Sequence, residues 1–283
     1  MKHSTIVYPQ WQGGADISTY HGVKEIQRLY LRNAAYDEIP VVSDETRLVK
    51  ANDIIGYDDI FVQIEDAAKA INQAGPDTLF TIGGSCDADI PAVAYLNQKY
   101  AGNLTVLWFD AHGDLNTPRE SASKLFYGMP LRTLLGEGDD EIADLIDKRL
   151  TPPQVILLGA RDLDKSEEKH IAENNITLFS IEELERDSSV VSSAIEAAGN
   201  DHLYLHIDLD VLNPSEFPYT PVPSDGGLSA QTFLSLLQSL KAKHRIVGMG
   251  VFEYKPANTK TELLSSIIDM GLFYFVNVSD FVV

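Results

Sequence analysis

Two carboxylates and an imidazole stand at alternate positions in Asp110-Ala111-His112-Gly113-Asp114. Groups this close repel one another, or must be desolvated together, unless a cation compensates them. A metal site is the economical reading, and a solvated turn with capping aspartates is its competitor. A second acidic pair, Asp208-Leu209-Asp210, sits near residue 209. If both belong to a strand, alternation puts their side chains on one side of the backbone. Four carboxylates and one imidazole form an oxygen-and-nitrogen set that suits Mn²⁺, with Zn²⁺, Fe²⁺ or Mg²⁺ as alternatives. So much negative charge fits two cations better than one. Two metals bridged by carboxylates would hold a hydroxide at neutral pH, which is a competent nucleophile.

These groups need rigid elements behind them. Leu104–Phe109 is a continuous apolar run, which reads as a buried parallel strand. Asp110 then falls just past its carboxyl end, where open α/β sheets place their ligands. The same pattern predicts a strand over His202–Ile207 entering Asp208, and one over Arg245–Phe252 entering Glu253. Further strands are expected at Thr5–Tyr8, Thr78–Ile82, Val155–Leu158 and Thr177–Phe179. A helix is expected over Asp58–Ala74, where Phe61, Ile64, Ala68 and Ile71 recur at helical spacing and Gly75-Pro76 ends the run. Others are expected over Tyr20–Arg32, Ile90–Tyr100, Lys165–Asn174, Ser188–Ala198, Ala230–Lys241 and Thr261–Phe275, with short helices at Met129–Leu135 and Asp139–Ile146. Asp37–Glu45, Asn116–Tyr127 and Asn213–Gly227 read as irregular. Strands alternating with helices argue for a parallel sheet covered on both faces. With no repeat or linker in view, one domain over residues 1–283 is expected. Both acidic clusters should then converge at one carboxyl edge of the sheet. Clusters on opposite edges would refute the metal site.

Composition narrows the partners. The chain carries a net charge of −20, with 44% hydrophobic and 23% charged residues. That balance is ordinary for a globular protein but disfavours nucleic acid and anionic membranes, and it would attract a cationic substrate. The single cysteine, Cys86, excludes an intrachain disulfide. Met1-Lys2-His3-Ser4-Thr5 opens no apolar stretch of signal-peptide length, and no run approaches a membrane span, so a cytoplasmic protein is expected.

Taken together, the motifs resemble a known family. Asp110-Ala-His112-Gly-Asp114-Leu-Asn116-Thr-Pro, Asp208-Leu-Asp210 and Gly250-Val-Phe-Glu253-Tyr are similar, in order and separation, to signature regions of the arginase, agmatinase and formimidoylglutamase superfamily. Gly83-Gly84, Gly159-Ala-Arg-Asp162-Leu-Asp164 and Gly226-Gly227-Leu-Ser fall where that family has similar segments. The resemblance runs from about Thr78 to Glu253. It implies a three-layer α/β/α sandwich on a mostly parallel eight-stranded sheet. It also implies a centre of two Mn²⁺ ions and hydrolysis of a linear guanidino or amidino C–N bond. By the same resemblance, Asp110 and Asp208 bridge the metals, Asp114 completes one shell, and His112 and Asp210 complete the other. Asp114 is also placed to relay a proton. Glu253 resembles the substrate carboxylate, a role that chemistry supports independently, since a carboxylate takes a planar guanidinium bidentately. Asn116, Ser123 and Asp164 are further substrate-binding candidates, each with a competing role in loop or helix capping. The resemblance also admits a homo-oligomer.

Three departures qualify it. Cys86 stands two residues after Gly-Gly, where the family usually has a histidine ligand. A thiolate there is soft and would shift preference toward Zn²⁺ or Fe²⁺, and the competing reading is a small buried hydrophobe. Asp87 or Asp89 offers an alternative oxygen. Tyr127 occupies the place of a histidine that shuttles protons in arginases, and a phenol of pKa about 10 replaces it poorly. Leu125 lies where arginases have an asparagine for the substrate's α-carboxylate, which weakens arginine in particular as substrate. A member with an impaired metal site, retained for binding or assembly, is the alternative these departures support. His206 reads as an interior histidine on an apolar strand.

Overall fold

The computed structural model describes residues 1–44 and 48–274. Eight strands form its main sheet: β1 His3–Tyr8, β2 Asp37–Glu38, β3 Thr78–Gly83, β4 Leu104–Phe109, β5 Val155–Leu158, β6 Thr177–Phe179, β7 His202–Asp208 and β8 Arg245–Phe252. Their spatial order is β2-β1-β3-β8-β7-β4-β5-β6, and every pairing is parallel. All carboxyl ends therefore open on one edge. β3 and β4 follow each other in sequence but are separated in space by β8 and β7. The crevice that such a switch in strand order creates is where open α/β sheets bind ligands.

The apolar runs of the sequence become strands because both faces are covered. Along β4, Val106 and Trp108 enter one hydrophobic cluster while Leu107 and Phe109 enter the other. β5 divides in the same way, Val155 and Leu157 against Ile156 and Leu158. The first cluster is closed by helices Tyr57–Ala74 and Ile90–Lys99, through Ile60, Ile64, Val93 and Leu96. The second is closed by Ile17–Tyr30, Ala230–Lys243 and Glu262–Phe273, through Val23, Ile26, Leu236, Leu237, Leu264 and Ile267. The three expected layers are present.

Several details differ from the sequence expectation. The buried stripe of Tyr57–Ala74 is Ile60, Ile64, Ala67 and Ile71, so Phe61 and Ala68 lie at its margin. Asp37–Glu38, read as irregular, pairs with β1 as a two-residue edge strand, too short and polar to announce itself. A small antiparallel hairpin, Lys50–Ala51 with Ile54–Ile55, and a helix Ile181–Arg186 were not expected. Asp210 does not extend β7. It lies in a one-turn 3₁₀ helix, Leu209–Val211, whose free N–H the Asp208 carboxylate caps at 2.8 Å. Glu45 and Phe275 fall outside the described residues. Among the described residues, no helix is long and apolar enough to cross a membrane.

Candidate metal centre

Four neighbouring strands deliver the site. β3 leads through Gly83 and Gly84 into the 3₁₀ turn Cys86–Asp89, β4 into Asp110, β7 into Asp208 and β8 into Glu253. These are the four central strands β3-β8-β7-β4, so their ends converge. Both acidic clusters lie on the same sheet edge, as expected.

Gly84 makes the turn possible. A Cβ there would sit 1.9 Å from the Gln10 carbonyl oxygen, a backbone atom that cannot rotate away. Its carbonyl also accepts the Glu253 N–H at 2.8 Å. Gly84→Ala is therefore expected to destabilise the fold by about 2–3 kcal/mol. Urea melts check this, and an unchanged midpoint refutes it.

The side chains form one connected cluster. His112 Nδ1 lies 3.0 Å from Asp210 Oδ2 and 3.4 Å from Asp110 Oδ1. The Cys86 thiol donates to Asp208 Oδ2 at 3.1 Å, and its backbone N–H donates to Glu253 Oε1 at 3.1 Å. Asp210 Oδ1 accepts the Ala111 N–H at 2.9 Å. Three overlapping sets have metal-ligating atoms within 4.8 Å of one another: Cys86, Asp110, Asp114 and His206; Cys86, Asp208 and Glu253; and Asp110, His112 and Asp210. Asp110, Asp114, Asp208, Asp210 and Glu253 are all buried.

Electrostatics state the need for a cation. Burial first, and then the charge of Asp110, pushes the Asp114 carboxyl well above the usual range. Burial and Asp210 do the same to Asp208 and Glu253, and burial and Asp110 raise Asp210. Burial also works against ionisation of Asp110, but the hydrogen bond and charge of His112 overcome it and the net shift is downward. For His112, burial favours the neutral ring, yet its bonds to Asp110 and Asp210 win and hold the proton far above the usual pKa. Asp114 Oδ2 is buried with no hydrogen-bond partner among the described residues. Unpaired buried acceptors and mutually repelling carboxylates are what a divalent ion relieves, so the residues present fit a metal.

The remaining candidates sit further out. Asn116 Nδ2 donates to Asp164 Oδ2 at 2.9 Å, and its Oδ1 accepts from Ser166 Oγ at 2.8 Å. Asp164 caps helix Lys165–Asn174 in a reciprocal box with Glu167. Ser123 is exposed, 3.3 Å from Ser121 Oγ. Asp87 and Asp89 do not join the metal-capable sets. Asp87 binds Gln10 and Ser85, each at 2.6 Å, and Asp89 binds Tyr204 and His206. Tyr127 is partly buried, and burial, opposed by His112 but aided by Glu253, Asp114 and Cys86, pushes its phenol up to about 12.

Sequence reasoning missed three supports. The Arg161 guanidinium donates to the carbonyls of Asp210, Ser224 and Asp225 at 2.9–3.0 Å, tying the 213–227 loop to the site. Glu167 accepts the Leu115 N–H at 2.9 Å, which anchors the chain just after Asp114. His206 lies among the ligating groups.

Residues 16–272 match the sequence model described as the Arginase family. The arginase of Staphylococcus aureus (strain MSSA476) is 33% identical over 226 residues, covering 77% of this chain and 74% of that protein. The native structure of arginase from Bacillus caldovelox superposes with a TM-score of 0.85 at 26% identity, covering 98% of this chain and 100% of that one. Entamoeba histolytica arginase in complex with L-ornithine gives 0.86 at 22% identity, covering 97% and 99%. The fold, the converging acidic strand ends and these likenesses agree: the chain belongs to the arginase family.

Proposed function

We propose that this chain is a binuclear manganese hydrolase that cleaves the C–N bond of a small guanidino or amidino cation other than arginine. Membership of the family makes it a metal-dependent hydrolase of amidino compounds. The single observation that carries the finer reading is the buried, connected cluster of Asp110, Asp114, Asp208, Asp210 and Glu253, with His112 held by Asp110 and Asp210.

Asp110 and Asp208 would be shared between two ions, with Asp114 on one side and His112 and Asp210 on the other. Such ions would supply a hydroxide nucleophile near neutral pH. Glu253 would orient the substrate. Its Oε1 is already fixed by the Cys86 N–H, and Gly84 fixes its backbone, so the carboxylate is held ready for a planar cation. Asp114 would carry the proton to the departing amine, the role the family resemblance gives it. Tyr127 stays protonated at neutral pH, so it is no proton shuttle there.

Leu125 offers no polar group to an α-carboxylate, which is the argument against arginine. The arginine-type relatives make arginine the necessary comparison. The reading of an inactive binding protein is not favoured, since the remaining ligands are assembled in spite of Cys86. The reducing conditions of cytoplasm suit a chain whose one cysteine is free and buried.

Manganese-loaded protein, assayed for urea, ammonia and formamide release, tests this. Urea release from agmatine at a kcat/KM at least about tenfold above that from arginine is expected, equivalent to about 1.4 kcal/mol. Release from arginine alone overturns the specificity. No release from arginine, agmatine or formimidoylglutamate overturns the hydrolase reading.

A further inference from the structure

The family's usual histidine is missing at position 86, yet the structure brings another imidazole to the same place. His206 is fully buried, and its Nε2 has no hydrogen-bond partner among the described residues. A buried ring nitrogen left unpaired loses the free energy of a hydrogen bond with nothing in return. One ring nitrogen of His206 lies within 4.8 Å of ligating atoms from Cys86, Asp110 and Asp114. Nδ1 lies 2.8 Å from Asp89 Oδ2, which leaves Nε2 as the nitrogen free to ligate. Asp89 is itself held by the Tyr204 hydroxyl.

We propose that His206 is the imidazole ligand of the Cys86–Asp110–Asp114 side of the metal centre, with Asp89 as the carboxylate that positions it. This rests on the metal-centre reading. The arrangement is the one in which ligating histidines are found: one nitrogen on the metal, the other donating to a carboxylate that fixes tautomer and orientation. With Nδ1–H given to Asp89, Nε2 carries its lone pair toward the cluster.

The ring cannot turn away. Trp108 stacks on one face at 3.5 Å between ring centroids and 6° between planes, and Phe252 covers the other at 4.8 Å and 11°. Register aligns these groups, with His206 between Trp108 on β4 and Gly250 on β8. Gly250 is required there, because a Cβ would fall 2.4 Å from the Phe252 ring and 2.9 Å from Asp89 Oδ1. The chain thus builds a slot for one flat ring, with a carboxylate at one end and the acidic cluster at the other. Cys86 need not supply the ligand, because its Sγ is already directed to Asp208. An imidazole also keeps the site suited to manganese, which a thiolate would not.

Mn²⁺ titration calorimetry on wild type, His206→Gln and Asp89→Asn tests the proposal, with thermal melts to confirm folding. Wild type is expected to bind two ions. His206→Gln should lose one of them, or bind it at least about tenfold more weakly. Asp89→Asn should weaken the same ion by about 10–100-fold, as loss of an orienting carboxylate does. A second readout needs no variant. Proton NMR of Co²⁺-loaded wild type should show a hyperfine-shifted, slowly exchanging ring N–H, the buried Nδ1–H of His206. Wild-type affinity in Asp89→Asn and in any folded His206→Gln, or absence of that resonance from Co²⁺-loaded protein, overturns the role of His206 and leaves the metal centre standing. Failure of wild type to bind Mn²⁺ or Co²⁺ overturns the metal centre itself, and this inference with it.

Discussion

Purified with added Mn²⁺, Asp208→Ala is expected to retain almost no metal, whereas Asp114→Ala keeps about one ion per chain. The asymmetry follows from position. Asp208 ends β7 beside Cys86 and Glu253. Its Oδ2 reaches Cys86, and its Oδ1 caps the N–H of Asp210, which in turn holds His112. Removing it deletes the ligand proposed to be shared and loosens Asp210 as well. Asp114 joins the Cys86–Asp110–His206 set but not the Asp110–His112–Asp210 set. Its removal should therefore spare one ion. Losing the cap costs about 1 kcal/mol, while removal of a crowded buried carboxylate gives some stability back, so both variants should fold. Hydrolysis should fall by about 10³-fold or more in Asp208→Ala, since a metal's share of transition-state stabilisation is several kcal/mol. Metal content by elemental analysis and initial rates check both statements. Equal loss in the two variants, or loss in neither, refutes the assignment.

What the chain discloses on inspection and what it hides have separable physical causes. The strands β4, β5, β7 and β8 are legible because a sheet buried on both faces needs unbroken apolar runs, and none of them competes with a polar alternative. Asp110, Asp208 and Glu253 are legible because each is an abrupt carboxylate at the end of such a run. Phe61 and Ala68 were misplaced by one position on their helix, since spacing fixes a period but not which edge of the stripe meets the sheet. Asp210 is bound to the site by a 3₁₀ turn, and strand alternation gave the right neighbourhood for a wrong reason. His206 was hidden more deeply. An imidazole on an apolar strand has the same local signature whether or not it is satisfied. Only the pairing of β7 with β4 and β8, and the arrival of Asp89 from the turn after β3, distinguish the two. Arg161 was hidden for a similar reason, because its partners are backbone carbonyls of a loop about 60 residues away, and carbonyls carry no sequence signal.

Metal is expected to stabilise the protein strongly, and more so as pH rises. Asp114, Asp208, Asp210 and Glu253 all have folded-state pKa values raised by burial and by neighbouring carboxylates. For a carboxyl raised on folding, stability is fully present below the unfolded pKa of about 4 and is lost as pH climbs through the folded value. Chelator-treated protein should therefore lose stability from this cluster as pH rises above the unfolded value of about 4, as protons the folded state prefers to keep are drawn off. A divalent ion replaces those protons. It binds better as their removal becomes easier, so its contribution grows over the same interval. His112 adds to the trend, because its raised pKa means that a ligating ring must first give up a proton. With free Mn²⁺ at a thousand times Kd, one site contributes about 4 kcal/mol. At about 2–4 °C of Tm per kcal/mol for a chain of this size, that is roughly 10 °C or more near pH 7.5. At pH 5.5 the shift should be at most about half as large. Thermal melts with and without Mn²⁺ at the two pH values read this directly, with Asp208→Ala as the control that should show little shift at either. A shift that is equal at both pH values, or larger at pH 5.5, would mean that the raised carboxyls are not the groups the metal displaces protons from.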